Sequence, residues 1–247
     1  MTTLLRSTLA LALGLGFAQA TLAQVPQEAL IRKNLGERLP DFPKIDEVNK
    51  TAIPGLYEVR IGTELIYTDE RGDYVIQGNI IDSKTRSDVT QARIDKITAI
   101  DFSALPLKDA IVWKQGTGAR KLVVFADPNC GYCKKFENEM QQVKNVTVYT
   151  FLLPILGGDS SEKSRNIWCA KDSSAAWRDW MIKGEVAARV MGACDASVLQ
   201  RNLALAKKYR VTGTPALVFE DGKRVPGAMG PADVEKQLLV ASKGGKG

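Results

Sequence analysis

Histidine is absent from the 247 residues. No imidazole is therefore available as general base, proton shuttle or metal ligand, which excludes Ser-His-Asp and Cys-His catalysis and any histidine-ligated metal. Long apolar runs are scarce too: past the first two dozen residues, no segment nears the ~20 apolar residues that cross a bilayer. Basic residues outnumber acidic ones, 34 to 28, but no arginine-rich run or aromatic-basic interleaving concentrates them. A solvated surface accounts for the excess, and no nucleic-acid partner is expected. Cysteine is limited to Cys130, Cys133, Cys169 and Cys194.

The one continuous apolar stretch is N-terminal. In MTTLLRSTLALALGLGFAQATLAQ, Arg6 precedes the run Leu9 to Phe17, and small residues follow at Ala18-Gln19-Ala20 and Thr21-Leu22-Ala23. A short positive region, a brief apolar core and small residues are the parts of a cleaved signal peptide, here residues 1–23. With no cysteine at the cleavage point, no lipid anchor is expected. An even number of cysteines in an exported chain favours disulfides, because that compartment oxidises thiols.

Past the leader, Ile31, Leu35 and Leu39 recur at four-residue spacing, which predicts a short amphipathic helix ending at Pro40. Tyr57, Val59 and Ile61 alternate with Glu58 and Arg60 as in a strand, and a turn at Glu70 to Asp73 separates two β-branched and aromatic runs. A helix and a few strands over some 60 residues make a marginal core. Such a unit is expected to be completed by a second copy, with the run Tyr74 to Ile81 as a candidate edge, the alternative being a small sheet docked on the rest of the chain. Ser87 is a candidate N-cap for a helical linker carrying Ile94, Ile97 and Ile100.

The second half opens with KLVVFAD (Lys121 to Asp127), an apolar run of the kind found in a strand covered on both faces. Cys130-Gly131-Tyr132-Cys133 follows, then a helix with Phe136, Met140 and Val143 inward, then the strand VTVYTFLLP (Val146 to Pro154): a βαβ unit. Residues 161–209 are predicted largely helical, with Trp168, Trp177, Trp180 and Met181 in the core. Two strands around Asp221-Gly222 and a final helix close the domain.

Zinc ribbons need two close pairs of ligands, and Cys169 and Cys194 lie 25 residues apart, so no metal is expected. A strand delivering Cys-x-x-Cys to a helix N-terminus suits thiol–disulfide exchange instead. Backbone N–H groups and the helix dipole there stabilise a thiolate at the first cysteine, and the second lies within one turn. Lowering a thiol's pKa raises its ionised fraction but costs nucleophilicity with a Brønsted slope of ~0.4–0.5. Attack gains little; release from a mixed disulfide gains more. No cofactor is required.

CGYC after an apolar strand, IWCAKD (Ile167 to Asp172), VTGTPALVF (Val211 to Phe219) and DGKRVPG together resemble the bacterial periplasmic disulfide isomerases of the DsbC/DsbG type. The resemblance implies an α+β N-terminal dimerisation domain of cystatin-like fold over residues 24–87 and a helical linker over 88–110. It further implies an α/β thioredoxin-like catalytic domain with a helical insertion over 111–247. Carried onto this sequence, Cys130 is the nucleophile, Cys133 the resolving thiol, and Thr214-Pro215 a substrate-binding loop with a cis peptide. Cys169 and Cys194 pair as a structural disulfide. The expected partners are misfolded disulfide-containing clients, a second copy of the chain and a DsbD-like membrane thiol reductase as electron donor, all in the periplasm. Gly131-Tyr132 matches the DsbC side, since DsbG-like members carry proline at position 131. Thr214 also points to isomerases, because DsbA-type oxidases favour valine there. The alternatives are a DsbG-like chaperone or thiol reductase and a DsbA-like oxidase on the same fold. Thioredoxins bury an acid six residues before the first cysteine; Val124 stands there, which puts a thioredoxin-style internal proton acceptor in doubt.

Overall fold

The computed structural model describes residues 26–244; the signal-peptide expectation lies outside them. The chain divides into two compact units, the boundary falling between Gly78 and Asn79.

In the first unit, helix α1 (Gln27–Arg38) precedes strands β1 (Glu47–Lys50), β2 (Leu56–Ile61), β3 (Glu64–Asp69) and β4 (Val75–Ile76), which pair antiparallel in that order. Ile31 and Leu35 bury completely against Val59 and Ile66. The predicted third helical position, Leu39, is instead extended and exposed. It precedes Pro40, whose ring disfavours a helical conformation for the residue before it. The Asp69 carboxylate accepts N–H bonds from Arg71, Asp73 and Tyr74, which sets the predicted turn. Strand β4 then pairs with β3 through only two residues, and Tyr74, Val75 and Ile76 are exposed.

The second unit begins with the small antiparallel pair β5 (Ile81–Asp82) and β6 (Ser87–Asp88), followed by α2 (Val89–Thr98). Asp88, one residue after the expected cap, accepts the Gln91 N–H. Two 3-10 turns, Phe102–Ala104 and Leu107–Asp109, lead to β7 (Ile111–Gln115) and β8 (Arg120–Ala126). Helix α3 (Gly131–Met140) and β9 (Val146–Leu152) complete the predicted βαβ unit, with β8 and β9 parallel in register from Arg120 opposite Val146. Next come α4 (Ser160–Trp168), α5 (Ser173–Arg178), a π-helical turn (Asp179–Lys183), α6 (Val198–Lys208), β10 (Ala216–Phe219), β11 (Arg224–Pro226) and α7 (Pro231–Gly244).

The sheet order is β11-β10-β8-β9-β7, antiparallel except between β8 and β9. Strand β8 is central and buried on both faces, as its apolar run predicted. Leu122, Val124 and Ala126 meet Phe136, Met140 and Leu238 on one side. Val123 and Phe125 meet Phe151, Ile100, Leu105 and Val211 on the other, where Phe125 and Phe151 stack at 5.2 Å.

The insertion between β9 and β10 is less helical than expected. Gly184 takes φ +76° and ends the π-helical turn; the chain from Glu185 to Ala196 is irregular. Side-chain bonds hold that segment: Asn166 Oδ1 accepts the Val190 N–H, and the Trp168 indole donates to the Asp195 carbonyl. Trp177 and Met181 are in the core; Trp168 and Trp180 are only partly buried.

Candidate active site

Strand β8 runs into Asp127-Pro128-Asn129, and this loop places Cys130 as the N-cap of α3. Its backbone N–H donates to the Asp127 carbonyl at 3.0 Å. The Cys130 sulfur accepts the Cys133 N–H at 3.2 Å and faces the Thr214 carbonyl oxygen, also at 3.2 Å. A cysteine thus does the capping that serine or aspartate does elsewhere, so one of the helix's unpaired donors points at its sulfur. Cys130 and Cys133 are unbonded to each other and both buried. Gly131 and Tyr132 between them are exposed, the tyrosine ring at 72%.

Cys133 sits deeper, at 1% exposure. Burial pushes its thiol well above the usual range, and the neighbouring Cys130 sulfur adds to the shift. A backbone hydrogen bond from Asp127 and, more weakly, the Thr214 side chain oppose it.

Thr214-Pro215 comes from 84 positions beyond Cys130, and the peptide between them is cis. The loop lies against the Cys130 sulfur and, with Tyr132, Lys135 and Met229, lines an open groove of about 380 Å³. Cys169 and Cys194 are disulfide-bonded with Cα atoms 6.0 Å apart, and they tie the end of α4 to the irregular segment of the insertion. The sequence-derived residues therefore form two groups: Cys130, Gly131, Tyr132, Cys133, Thr214 and Pro215 at one end of the sheet, and the second cysteine pair in the insertion.

Sequence reasoning passed over three residues around this site. Asp127 is fully buried, and its carboxylate accepts from Asn129 N, Ser160 Oγ, Ile155 N and Leu156 N at 2.7–2.9 Å. It joins the loop before Cys130 to the loop after β9. An acid at the end of an apolar strand, just ahead of Pro128, was the available signal. Glu137, one turn past Cys133, is buried and receives the Trp177 indole N–H at 2.6 Å. Burial pushes its carboxyl up to about 6, against the pull of Trp177, Arg178 and Trp113. Trp180, read only as core, donates its indole N–H to the Pro128 carbonyl at 2.6 Å.

Residues 107–241 match the model of a thioredoxin-like domain, and residues 22–91 that of the disulfide bond isomerase protein N-terminal domain. The probable thiol:disulfide interchange protein DsbC of Bordetella parapertussis is 43% identical over 213 residues, covering 86% of this chain and 75% of the relative. The chain belongs to the DsbC family. Across that family, the thiol:disulfide interchange protein DsbC of Escherichia coli K12 is 29% identical over 90% of this chain and 89% of its own. Among solved structures, a disulfide interchange protein from Neisseria gonorrhoeae superposes with TM-score 0.52 at 35% identity, covering 56% of this chain and 99% of that one. The α+β and thioredoxin-like architecture expected for DsbC-type proteins is therefore present. No helix among the described residues is long and apolar enough to cross a membrane.

Proposed function

We propose that this DsbC-family chain is an exported disulfide isomerase that works as a homodimer in the periplasm. The observation that carries the reading is the contrast between the two thiols. Cys130 caps a helix with an N–H on its sulfur, whereas Cys133 is buried one turn deeper with its pKa raised.

The Cys130 thiolate attacks one sulfur of a wrong client disulfide, forms a mixed disulfide and expels a client thiolate. That thiolate attacks a different client disulfide, and a further client thiolate then displaces Cys130. No net electrons move. Where the client stalls, the Cys133 thiolate attacks the Cys130 sulfur, the client leaves reduced, and the enzyme is left with a Cys130–Cys133 disulfide. A raised Cys133 pKa keeps that thiol protonated and slow, which gives the client time to rearrange before it is released. Enzyme that does become oxidised needs two electrons from a dithiol donor, and a DsbD-like membrane reductase is the partner of that kind. Thr214-Pro215 offers a backbone edge beside Cys130 on which an extended client segment pairs. The Cys169–Cys194 disulfide is structural.

Residues 24–87 form the dimerisation domain, 88–110 the linker and 111–247 the catalytic domain in this reading. The two-residue β4 with its exposed Val75 and Ile76 is an incomplete edge of the kind a second copy covers. The DsbC identity of relatives that match most of the chain favours isomerase over the DsbG-like chaperone and the DsbA-like oxidase. Thiol trapping in cells tests the direction of electron flow. Mostly reduced Cys130 and Cys133 are expected, and a mostly oxidised pair would point to an oxidase.

A further inference from the structure

Trp180 lies in the π-helical turn of the insertion, far in sequence from the dithiol, yet it touches the chain on both sides of Cys130. Its indole N–H donates to the carbonyl of Pro128, two residues before the nucleophile. Its ring receives the Lys134 ammonium at 3.8 Å, and Lys134 is the residue directly after Cys133. The Lys163 ammonium lies 4.4 Å from the same ring and also donates to Asn129 Oδ1 at 2.9 Å, immediately before Cys130. Lys163 in turn pairs with Asp159, whose carboxylate accepts from Asn129 as well.

The peptide after Pro128 is held at both ends, its Asn129 N–H by the Asp127 carboxylate at 2.7 Å and its carbonyl by the Trp180 indole, so losing either bond lets it tilt. The peptide after Pro128 leads into Asn129 and so sets the direction from which Cys130 enters α3. The 3.2 Å contact between the Cys130 sulfur and the Cys133 N–H depends on that direction. An indole N–H is a donor only, so in this place it can do nothing for the loop except hold an acceptor. The flanking cation–π contacts fix the ring that carries it.

We propose that Trp180 is a positioning residue for Cys130, whose indole N–H holds the Pro128 carbonyl so that the loop brings the sulfur onto the Cys133 N–H. The inference rests on Cys130 being the reacting thiol, and it makes the helical insertion part of the active-site scaffold.

The test compares Trp180→Phe with Trp168→Phe in the full reduced protein. Each variant deletes one insertion indole's N–H bond to a backbone carbonyl, of Pro128 for Trp180 and of Asp195 for Trp168, and phenylalanine at 180 keeps a ring for both lysines. Carbamidomethylation of Cys130 by iodoacetamide at pH 6 is followed by mass spectrometry, alongside melting curves. Trp180→Phe is expected to slow the reaction by about twofold to tenfold, the worth of one hydrogen bond, with Trp168→Phe at the wild-type rate. A wild-type rate in Trp180→Phe, or equal slowing in both variants, would overturn the proposal. Rearrangement of scrambled ribonuclease by the unaltered protein is measured separately. Its absence would remove the isomerase reading and leave the carbamidomethylation result to decide the role of Trp180.

Discussion

The Thr214 carbonyl oxygen lies 3.2 Å from the Cys130 sulfur, and the Thr214 side chain is the smallest of the influences on the raised pKa of Cys133, opposing the rise. One residue from a distant loop is therefore placed to act on the proposed attacking thiol through its backbone and on the proposed resolving thiol through its side chain.

Thr214→Val keeps the carbonyl and removes the hydroxyl. The Cys133 thiol, already raised by burial, is expected to rise further and to resolve a mixed disulfide about twofold to tenfold more slowly. Rapid-mixing release of glutathione from protein glutathionylated on Cys130 measures this step. For the unaltered protein, release should keep accelerating with pH beyond 8, since Cys133 remains largely protonated there. A plateau below pH 8, or unchanged release in Thr214→Val, contradicts this role.

Glu137 gives stability a pH dependence of definite sign. Its folded pKa of about 6 lies above the ordinary 4.5 because burial disfavours the anion. The folded state therefore holds the proton more tightly, so the contribution is full below pH 4.5 and is lost as pH rises through 6. The size is about 2 kcal/mol, as a shift of that extent implies. Urea unfolding at pH 4.5 and 7.5 should show this decline in the unaltered protein and a flatter profile in Glu137→Gln. Parallel profiles would assign the decline to other groups.

Removing the Cys169–Cys194 disulfide as Cys169→Ser/Cys194→Ser is expected to cost roughly 3–4 kcal/mol in urea unfolding, from loop entropy returned to the unfolded chain. Cys130 and Cys133 lie outside that loop, so the doubly substituted protein should keep its exchange activity at temperatures where it stays folded. Loss of exchange in a folded variant would give the pair a role beyond stability.

Ile76→Lys places a charge on the exposed edge strand β4, a change that blocks strand pairing between copies. Sedimentation of the mature protein at micromolar concentration should give a dimer, and the variant a monomer. A monomeric mass for the unaltered protein would remove dimerisation from the account.

Much of the catalytic unit was legible because its signals are local. The apolar run at Lys121 to Asp127, the cysteine pair and the spacing of Phe136, Met140 and Val143 specify strand, cap and helix within 25 residues. The turn at Asp221-Gly222 is equally local, with Gly222 at φ +84°. What stayed hidden depends on partners far along the chain. Glu137 looks like a surface acid on an amphipathic helix until Trp177, 40 residues away, donates to it. Asp127 gains its four donors from α4 and the loop before it as well as from Asn129. The irregular segment after Gly184 was read as helix because its apolar residues invite that reading, whereas the disulfide and the Asn166 and Trp168 side chains hold it otherwise.

In the proposed mechanism Cys130 rearranges client disulfides, and Cys133 only rescues stalled ones. Refolding of scrambled ribonuclease by the reduced protein tests this directly, with Cys130→Ala and Cys133→Ala in parallel. Cys130→Ala is expected to give no rearrangement, and Cys133→Ala substantial rearrangement with mixed disulfides accumulating. Full activity in Cys130→Ala would contradict it.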